Sequence, residues 1–425
     1  MQRIDERPIR GEFKVWIWKN YLAPSLHFLL MVDVISESSV LKIQKKITKF
    51  IKKWLNLPRC CTLSAVFHPD VLNLPFLPQA RESAKLSMII AIEQSKDPLI
   101  TECMSLLKNP DFLSRNEIPQ NSISLLEAAR KSALSTSKVT KFIKTFVRNS
   151  LHQSHIEYWN NTLDHLQVQS KFRDIVTLEP KSHTWNRLVA GLPAGQLSFL
   201  LRAGTDCLPT PLNLRRWKYQ VSTTCPLCNS PYPTTAHILN SCQEALNQGR
   251  FTWRHDSVLN CLTSLVKPNI PSSCKFYVDL PGLRANESPP ATIPIDVSTT
   301  TARPDLVLVS GSNITMLELT IPTNSSESIQ AARARKLNKL NYQHLISDLE
   351  SGNFHVSFNT LEIGSLGHYE QEAVYCLRHT FNLSKCDTNQ ILLKLSRIAV
   401  GCSYHIFNCR NSQSWDLHKP YHFIS

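Results

Sequence analysis

RPDLVLVSGSNITMLELTIP, residues 303–322, is the stretch on which the reading of the C-terminal region turns. Two runs with strand-like alternation flank Gly311-Ser312, and glycine at the first central position suits a two-residue type II′ hairpin loop. With that loop Ser310 pairs with Asn313, and the same register sets Asp305 opposite Glu318 on one face, with Cβ atoms roughly 5 Å apart. Like charges so placed destabilise a sheet. A divalent cation between them reverses that cost, because hard cations take carboxylate oxygens; a solvated strand end carrying two unpaired acids is the plainer alternative. The Pro-Asp dipeptide adds little by itself, since it recurs at Pro69-Asp70 and Pro110-Asp111 with no partner acid following.

A chain of 425 residues is long enough for two or three domains, each with its own core. The formal charge of +14 points to a polyanionic partner, nucleic acid before membrane. Glycine numbers 11, and neither GxGxxG nor GxxxxGK[ST] occurs, which argues against a nucleotide cofactor in a glycine cradle. The apolar stretch WIWKNYLAPSLHFLLMVDVI is interrupted by Lys19, Pro24, His27 and Asp33, short of the ~20 residues of a membrane span. It also lacks the layout of a signal peptide, and no membrane partner is expected. The 13 cysteines therefore read as reduced thiols and metal ligands in an intracellular protein.

Residues 38–57 are strongly periodic: Ile43, Ile47, Phe50, Ile51 and Trp54 form an apolar stripe, and Lys42, Lys45, Lys46, Lys49, Lys52 and Lys53 cover the rest. Such a face is either merely solvated or set against phosphates. The lack of any acid in residues 38–57 favours a duplex backbone, with Lys45, Lys49 and Lys52 as contacts. A second helical stretch from Ser124 turns Val139, Phe142, Ile143, Phe146 and Val147 inward, with Lys138, Lys141, Lys144 and Arg148 on another face. Helical patterning continues through residues 150–222, broken at Leu192-Pro193 and at residues 208–211. Residues 263–302, rich in Pro, Ser and Thr, read as an irregular connection into the hairpin.

CPLCNSPYPTTAHILNSC supplies Cys225, Cys228, His237 and Cys242 in a CX2CX8HX4C spacing. A tight Cys pair on a turn, then His and Cys about one helical turn apart, can close a tetrahedral N/S site of the kind structural zinc prefers. With all positions filled by protein, the metal is structural rather than catalytic. The alternative is reduced cysteines beside a core histidine. Four ligands are too few for a two-zinc cross-brace, which weakens a ubiquitin-ligase reading. Arg215, Arg216, Trp217, Lys218, Arg250, Trp253, Arg254 and His255 flank the cluster, a basic and aromatic mixture suited to stacking and phosphate contact or to surface charge beside a small core.

In their order these features resemble the C-terminal half of a non-LTR retrotransposon polyprotein of the class carrying a restriction-like endonuclease. The matching segments are KITKFIKKWLNLPRCCT (polymerase thumb), LNLRRWKYQVSTTCPLC (leading into a CCHC zinc knuckle), RHD at Arg254 to Asp256, RPDLVL and LELTIP. EIGSLG at Glu362 to Gly367 and the closing SRIAVGCSYHIFNCRNSQSW follow. The resemblance spans nearly the whole chain and implies a multidomain fold: a thumb-like helical remnant (1–95), a helical linker (96–212), the zinc knuckle region (213–262) and a C-terminal α/β restriction-endonuclease-like domain of PD-(D/E)xK type around a mixed sheet (263–425).

It also implies a function, nicking of double-stranded target DNA for target-primed reverse transcription, with element RNA as a second partner and the nucleus as compartment. Asp305 and Glu318 hold Mg or Mn. The lysine that assists the attacking water usually stands two residues after the second acid, here Thr320; in the retroelement branch it moves to the following helix, one turn before a tyrosine. Asn324 with Glu327 gives that helix a start like a capping box. Lys339 and Tyr342 then share a face, with Lys336 a rival for the lysine's role. Arg215, Arg216, Arg254 and His255 are the nucleic-acid contacts near the knuckle. A polymerase palm needs acids for two metal ions, usually an adjacent Asp pair, and no Asp-Asp dipeptide occurs. No reverse transcriptase activity is therefore expected from the chain, the palm lying upstream of Met1 or being lost. The competing readings are a catalytically inactive nucleic-acid-binding remnant and a zinc-organised protein-interaction module.

Overall fold

A computed structural model describes residues 1–32, 35–102, 120–133, 139–173, 191–280 and 302–416. The chain divides into two compact units, Met1–Ser170 and Lys171–Ser425.

The first unit is helical. Its helix α1 (Glu37–Trp54) starts at Ser36, whose side chain accepts from Ser39 N. Val40, Gln44, Ile47, Ile51 and Trp54 are its buried residues. Ile47, Ile51 and Trp54 thus lie inward as expected, whereas Ile43 is exposed and Phe50 only partly covered, with Val40 and Gln44 on the inner face instead. Gln44 takes the inner place because its Oε1 accepts from the main-chain N of Leu77 at 2.8 Å, satisfying the start of helix α2 (Leu77–Glu93). Helices α3 (Gln120–Ala133) and α4 (Val139–Asp164) pack on α2 through Leu86, Ile89, Ile90, Leu126, Ala129, Ile143, Val147 and Leu151. The inward set of the second basic helix is thus as expected for Ile143 and Val147, with Phe142 and Phe146 partly buried beside them. Lys138 lies outside the described residues.

In the second unit, helix α5 (Ala194–Gly204) precedes a short helix α6 (Pro211–Arg216) capped by Thr210. A π-helical turn (His237–Ser241) and helix α7 (Gln243–Asn247) lead into helix α8 (Arg250–Val266). The sheet is mixed, in the order β1 (Lys275–Val278), β2 (Leu306–Ser310), β3 (Asn313–Thr320), β4 (His355–Glu362), with only β3 and β4 parallel. Residues 263–302 are not wholly irregular: α8 continues to Val266, and the short alternating segment KFYV adds β1 to the outer edge of β2. Residues 281–301 lie outside the description. The crossover from β3 to β4 runs through helices α9 (Ser326–Leu337) and α10 (Leu340–Ser351), and helices α11 (Gln371–Phe381) and α12 (Lys385–Asn408) close the unit.

Alternation gives the sheet two buried faces. Val307, Val309, Ile314 and Met316 pack against Tyr342, Leu345 and Leu349 of α10. Leu306, Leu317 and Leu319, of opposite parity, are equally buried on the other face. Among the described residues no helix is long and apolar enough to cross a membrane.

Candidate zinc centre and acid pair

The Cys pair lies on a turn: Cys225 N donates to Ser230 O at 2.8 Å and Asn229 N to Cys225 O at 2.9 Å, with Asn229 in the left-handed region. His237 opens the π-helical turn and Cys242 caps α7. Their spacing of five overshoots an α-helical turn of 3.6 residues, and the wider π turn absorbs the excess. The ligand atoms of Cys225, Cys228, His237 and Cys242 all lie within 4.8 Å of one another. Cys225 Sγ stands 3.8 Å from Cys242 Sγ, and Cys228 Sγ 3.4 Å from His237 Nε2. A tetrahedron with Zn–S near 2.3 Å and Zn–N near 2.0 Å requires edges of about 3.8 and about 3.5 Å. The donor set therefore fits zinc. Burial lowers the pKa of His237, favouring the neutral imidazole a metal needs, and pushes the Cys242 thiol up to about 12, so loading the site expels its proton.

Around the cluster, the basic residues divide. Arg215 and Lys218 are exposed. Arg216, also exposed, is held by Asp206 at 3.0 Å and Asn213 at 2.9 Å. Arg254, expected on a nucleic-acid surface, is instead 2% exposed: it donates to Ser403 Oγ at 3.0 Å, and burial pulls its guanidinium down to about 10. Arg250 and Trp253 are buried with it. The first turns of α8 face the core against α12, which makes this stretch packing rather than interface. In the first unit Lys45 and Lys49 are exposed as expected, whereas Lys52 Nζ donates to the carbonyls of Arg59 and Cys61 at 2.9 and 2.5 Å and so ties down the loop after α1.

The opening hairpin has the register its turn predicts, from Ser310↔Asn313 to Leu306↔Leu317, with Gly311 at φ +58° and Ser312 outside the left-handed region. One step further along lie Asp305 and Glu318, on the face that α10 covers. Glu318 is 1% and Asp305 9% exposed, so neither is a solvated strand end. Leu319 N donates to Asp305 Oδ2 at 2.7 Å. His255 Nε2 donates to the same oxygen at 3.2 Å, while its Nδ1 donates to Asp256 Oδ1 at 3.1 Å. His255 is therefore on the acid pair, with its side chain 25% exposed. Burial works against its charge, but the hydrogen bonds to Asp256 and Asp305 hold it protonated up to about 10.

Lys336 Nζ and Tyr342 Oη donate to the two carboxylate oxygens of Glu318. Burial and the charge of Asp305 push the Glu318 carboxyl up, and these two partners pull it back. Burial and Glu318 in turn push the Tyr342 phenol up, so it is a donor at neutral pH. The expected helix differs in two respects. Its cap is Ser325, which accepts from Ser328 N, in place of the box from Asn324 to Glu327; Asn324 is turned to His368 and to the main-chain N of Leu366. And the helix stops at Leu337, so Lys339 is the N-cap of α10, its Nζ lying 4.7 Å over the Tyr342 ring and not on an acid. One turn before Lys336, Arg333 reaches the other way, its Nε and Nη2 both 3.1 Å from the buried Glu362 Oε2. That pair anchors α9 to the end of β4 and was legible only as part of the EIGSLG segment, where Asn324 Oδ1 fills the place a Cβ on Gly364 would take.

Residues 166–248, a span that contains all four zinc ligands, match the family described as zinc-binding in reverse transcriptase. The cluster is thus a zinc-binding element of the kind found with reverse transcriptases. Beyond it, the chain is 23% identical over 412 residues to the retrovirus-related Pol polyprotein from type-2 retrotransposable element R2DM of Drosophila melanogaster. That alignment takes in 95% of this chain and 34% of the polyprotein, so the chain is homologous to a retrotransposon Pol polyprotein and spans about a third of its length.

Proposed function

We propose that the second unit is a restriction-like endonuclease of PD-(D/E)xK type, derived from a retroelement, that nicks double-stranded DNA with Mg or Mn. The observation that carries the reading is the pairing of Asp305 with Glu318 across the hairpin, buried, with a lysine and a tyrosine on Glu318. His255 and Lys336 offset part of the cost of two acids side by side in a covered sheet, and a divalent cation joining them would offset more. Asp305 Oδ1, which has no hydrogen-bond partner among the described residues, and Glu318 Oε1 and Oε2 would hold the metal. When bound, the metal supplies charge stabilisation for in-line displacement at phosphorus.

The chain's own groups do the rest. Lys336 stands on Glu318 and takes the lysine's role in our assignment, ahead of Lys339, orienting the attacking water. Tyr342 fixes the Glu318 carboxylate. The water forms the new P–O bond as it gives up a proton to bulk solvent, the P–O3′ bond breaks, and O3′ takes a proton from solvent as it leaves, so the products are a 5′-phosphate and the 3′-hydroxyl that would prime reverse transcription of element RNA. Exposed Lys45, Lys49 and Arg215 supply phosphate contacts. Zinc binding organises the segment leading into α8, and the nucleus is the compartment this function requires.

The test is nicking of supercoiled plasmid by the full chain. Wild type nicks with Mg or Mn, whereas Asp305→Asn and Glu318→Gln lose nicking and keep their affinity for DNA. A wild-type chain that binds DNA and never nicks it under either metal returns the reading to an inactive nucleic-acid-binding remnant.

A further inference from the structure

We infer that His255 is a positioning residue of the acid site: its imidazole, held between Asp256 and Asp305, sets the rotation of the Asp305 carboxylate. This rests on the metal-dependent reading of Asp305 and Glu318 given above.

The terminal torsion of an aspartate is broad, so its rotamer alone does not decide which oxygen faces a ligand. Asp305 receives two donors on the same oxygen. Leu319 N–H, adjacent to Glu318, reaches Oδ2 at 2.7 Å and ties the first acid to the strand that carries the second. His255 Nε2 reaches it at 3.2 Å from a helix 50 positions earlier in the chain. Together they commit Oδ2 and leave Oδ1 without a hydrogen-bond partner among the described residues. The ring is itself oriented, because Asp256 Oδ1 accepts from Nδ1 at 3.1 Å.

The helix that presents His255 is rigidly seated. Trp253 lies against the rings of His405 and Trp415 at 5.6 and 5.4 Å, and Arg254 is buried on Ser403. Residues 253 and 254 thus clamp α8 to α12, and the next position, rotated about 100° by the helix, meets the end of β2. A phosphate contact needs a donor free to face solvent. Both ring nitrogens here are already on carboxylates, which fits an outer partner of a metal ligand.

The experiment titrates Mn2+ into the full chain without DNA, following free Mn2+ by electron paramagnetic resonance, for wild type, Asp305→Asn, His255→Ala, His255→Gln and Asp256→Asn. Loss of such a partner weakens metal affinity by about 10- to 100-fold, and that is the change expected for His255→Ala. His255→Gln recovers most of the affinity, since an amide N–H can still donate to Oδ2, and Asp256→Asn shows a smaller loss than His255→Ala. Metal-free DNA affinity stays at its wild-type value. Should His255→Ala not fold, His255→Gln and Asp256→Asn carry the comparison. Wild-type Mn2+ affinity in the folded His255 variants overturns the inference while leaving the nuclease reading intact, as does a fall in metal-free DNA affinity with Mn2+ binding unmoved, which would make His255 a DNA contact. No Asp305-dependent Mn2+ binding in the wild type removes the metal reading of the acid pair itself, and the inference with it.

Discussion

Replacing Cys242 by serine removes the ligand that closes the longest span of the zinc cluster, 17 positions back to Cys225. Cross-linking a loop of about 15 residues takes about 3 kcal/mol of entropy out of the open chain. The buried core around the ligands is small, Cys225, Cys242 and Ala245 with Leu227, Cys228 and Phe251 packed partly against it, and Ile238 and Leu239 of the π turn add the remaining buried apolar contacts. Opening of residues 222–248 should therefore become easier by at least about 3 kcal/mol, a fall in amide protection on the order of 100-fold. Zinc content, measured by plasma mass spectrometry, should drop from one per chain to none. Protection in α12 should persist, because Val258, Leu259, Leu262 and Val266 of α8 and Leu392, Leu395 and Ala399 of α12 are buried without help from the metal. Cys274→Ser, which touches no ligand, serves as the control and should change neither reading. The reasoning is refuted if freshly purified wild type, never exposed to chelator, holds no zinc, or if Cys242→Ser loses zinc and keeps its protection.

Lys336→Ala should slow nicking by about 100-fold or more, the loss typical of a positioned acid-base group, while Lys339→Ala, which gives up only its place over the Tyr342 ring, should do less; the reverse order in single-turnover rates would return the role to Lys339. Neutralising Lys45 and Lys49 together should flatten the dependence of DNA affinity on salt by up to about 1.8 in log–log slope, whereas Lys52→Ala should mainly lower stability because its ammonium serves two loop carbonyls; equal slopes in wild type and the double variant would set this helix away from DNA. His68 accepts from Asp70 N at 3.0 Å through Nδ1 and donates through Nε2 to Asn160 at 3.2 Å, an arrangement only the neutral ring can make. Burial holds its pKa below the ordinary 6.5. The stability it contributes is therefore complete above that value and lost as pH falls through the lower folded value, so the first unit should lose stability in acid and His68→Asn should blunt that loss; a pH-stability curve identical in the variant would contradict it.

What the chain's own pattern determined was short-range. A glycine in a two-residue loop sets a hairpin register without outside help, and that register alone made neighbours of Asp305 and Glu318. Ligand spacing on a turn and a single helical turn likewise brought Cys225, Cys228, His237 and Cys242 together. Periodicity located α1 and three residues of its inner stripe, Ile47, Ile51 and Trp54, but not its N-terminal part, since Gln44 satisfies a main-chain donor 33 positions away and takes the inner place that Ile43 was expected to fill. The tertiary structure alone decided which basic groups meet the acid pair and which are packing. Lys336 reaches Glu318 and Lys339 does not because the helix ends between them at Leu337, a stop set by how α9 and α10 lie over the sheet. Arg254 and His255 are adjacent and read alike, yet a turn of about 100° per residue sends one into the core and the other onto Asp305. Those outcomes depend on contacts 50 and 149 positions apart, which local pattern does not encode.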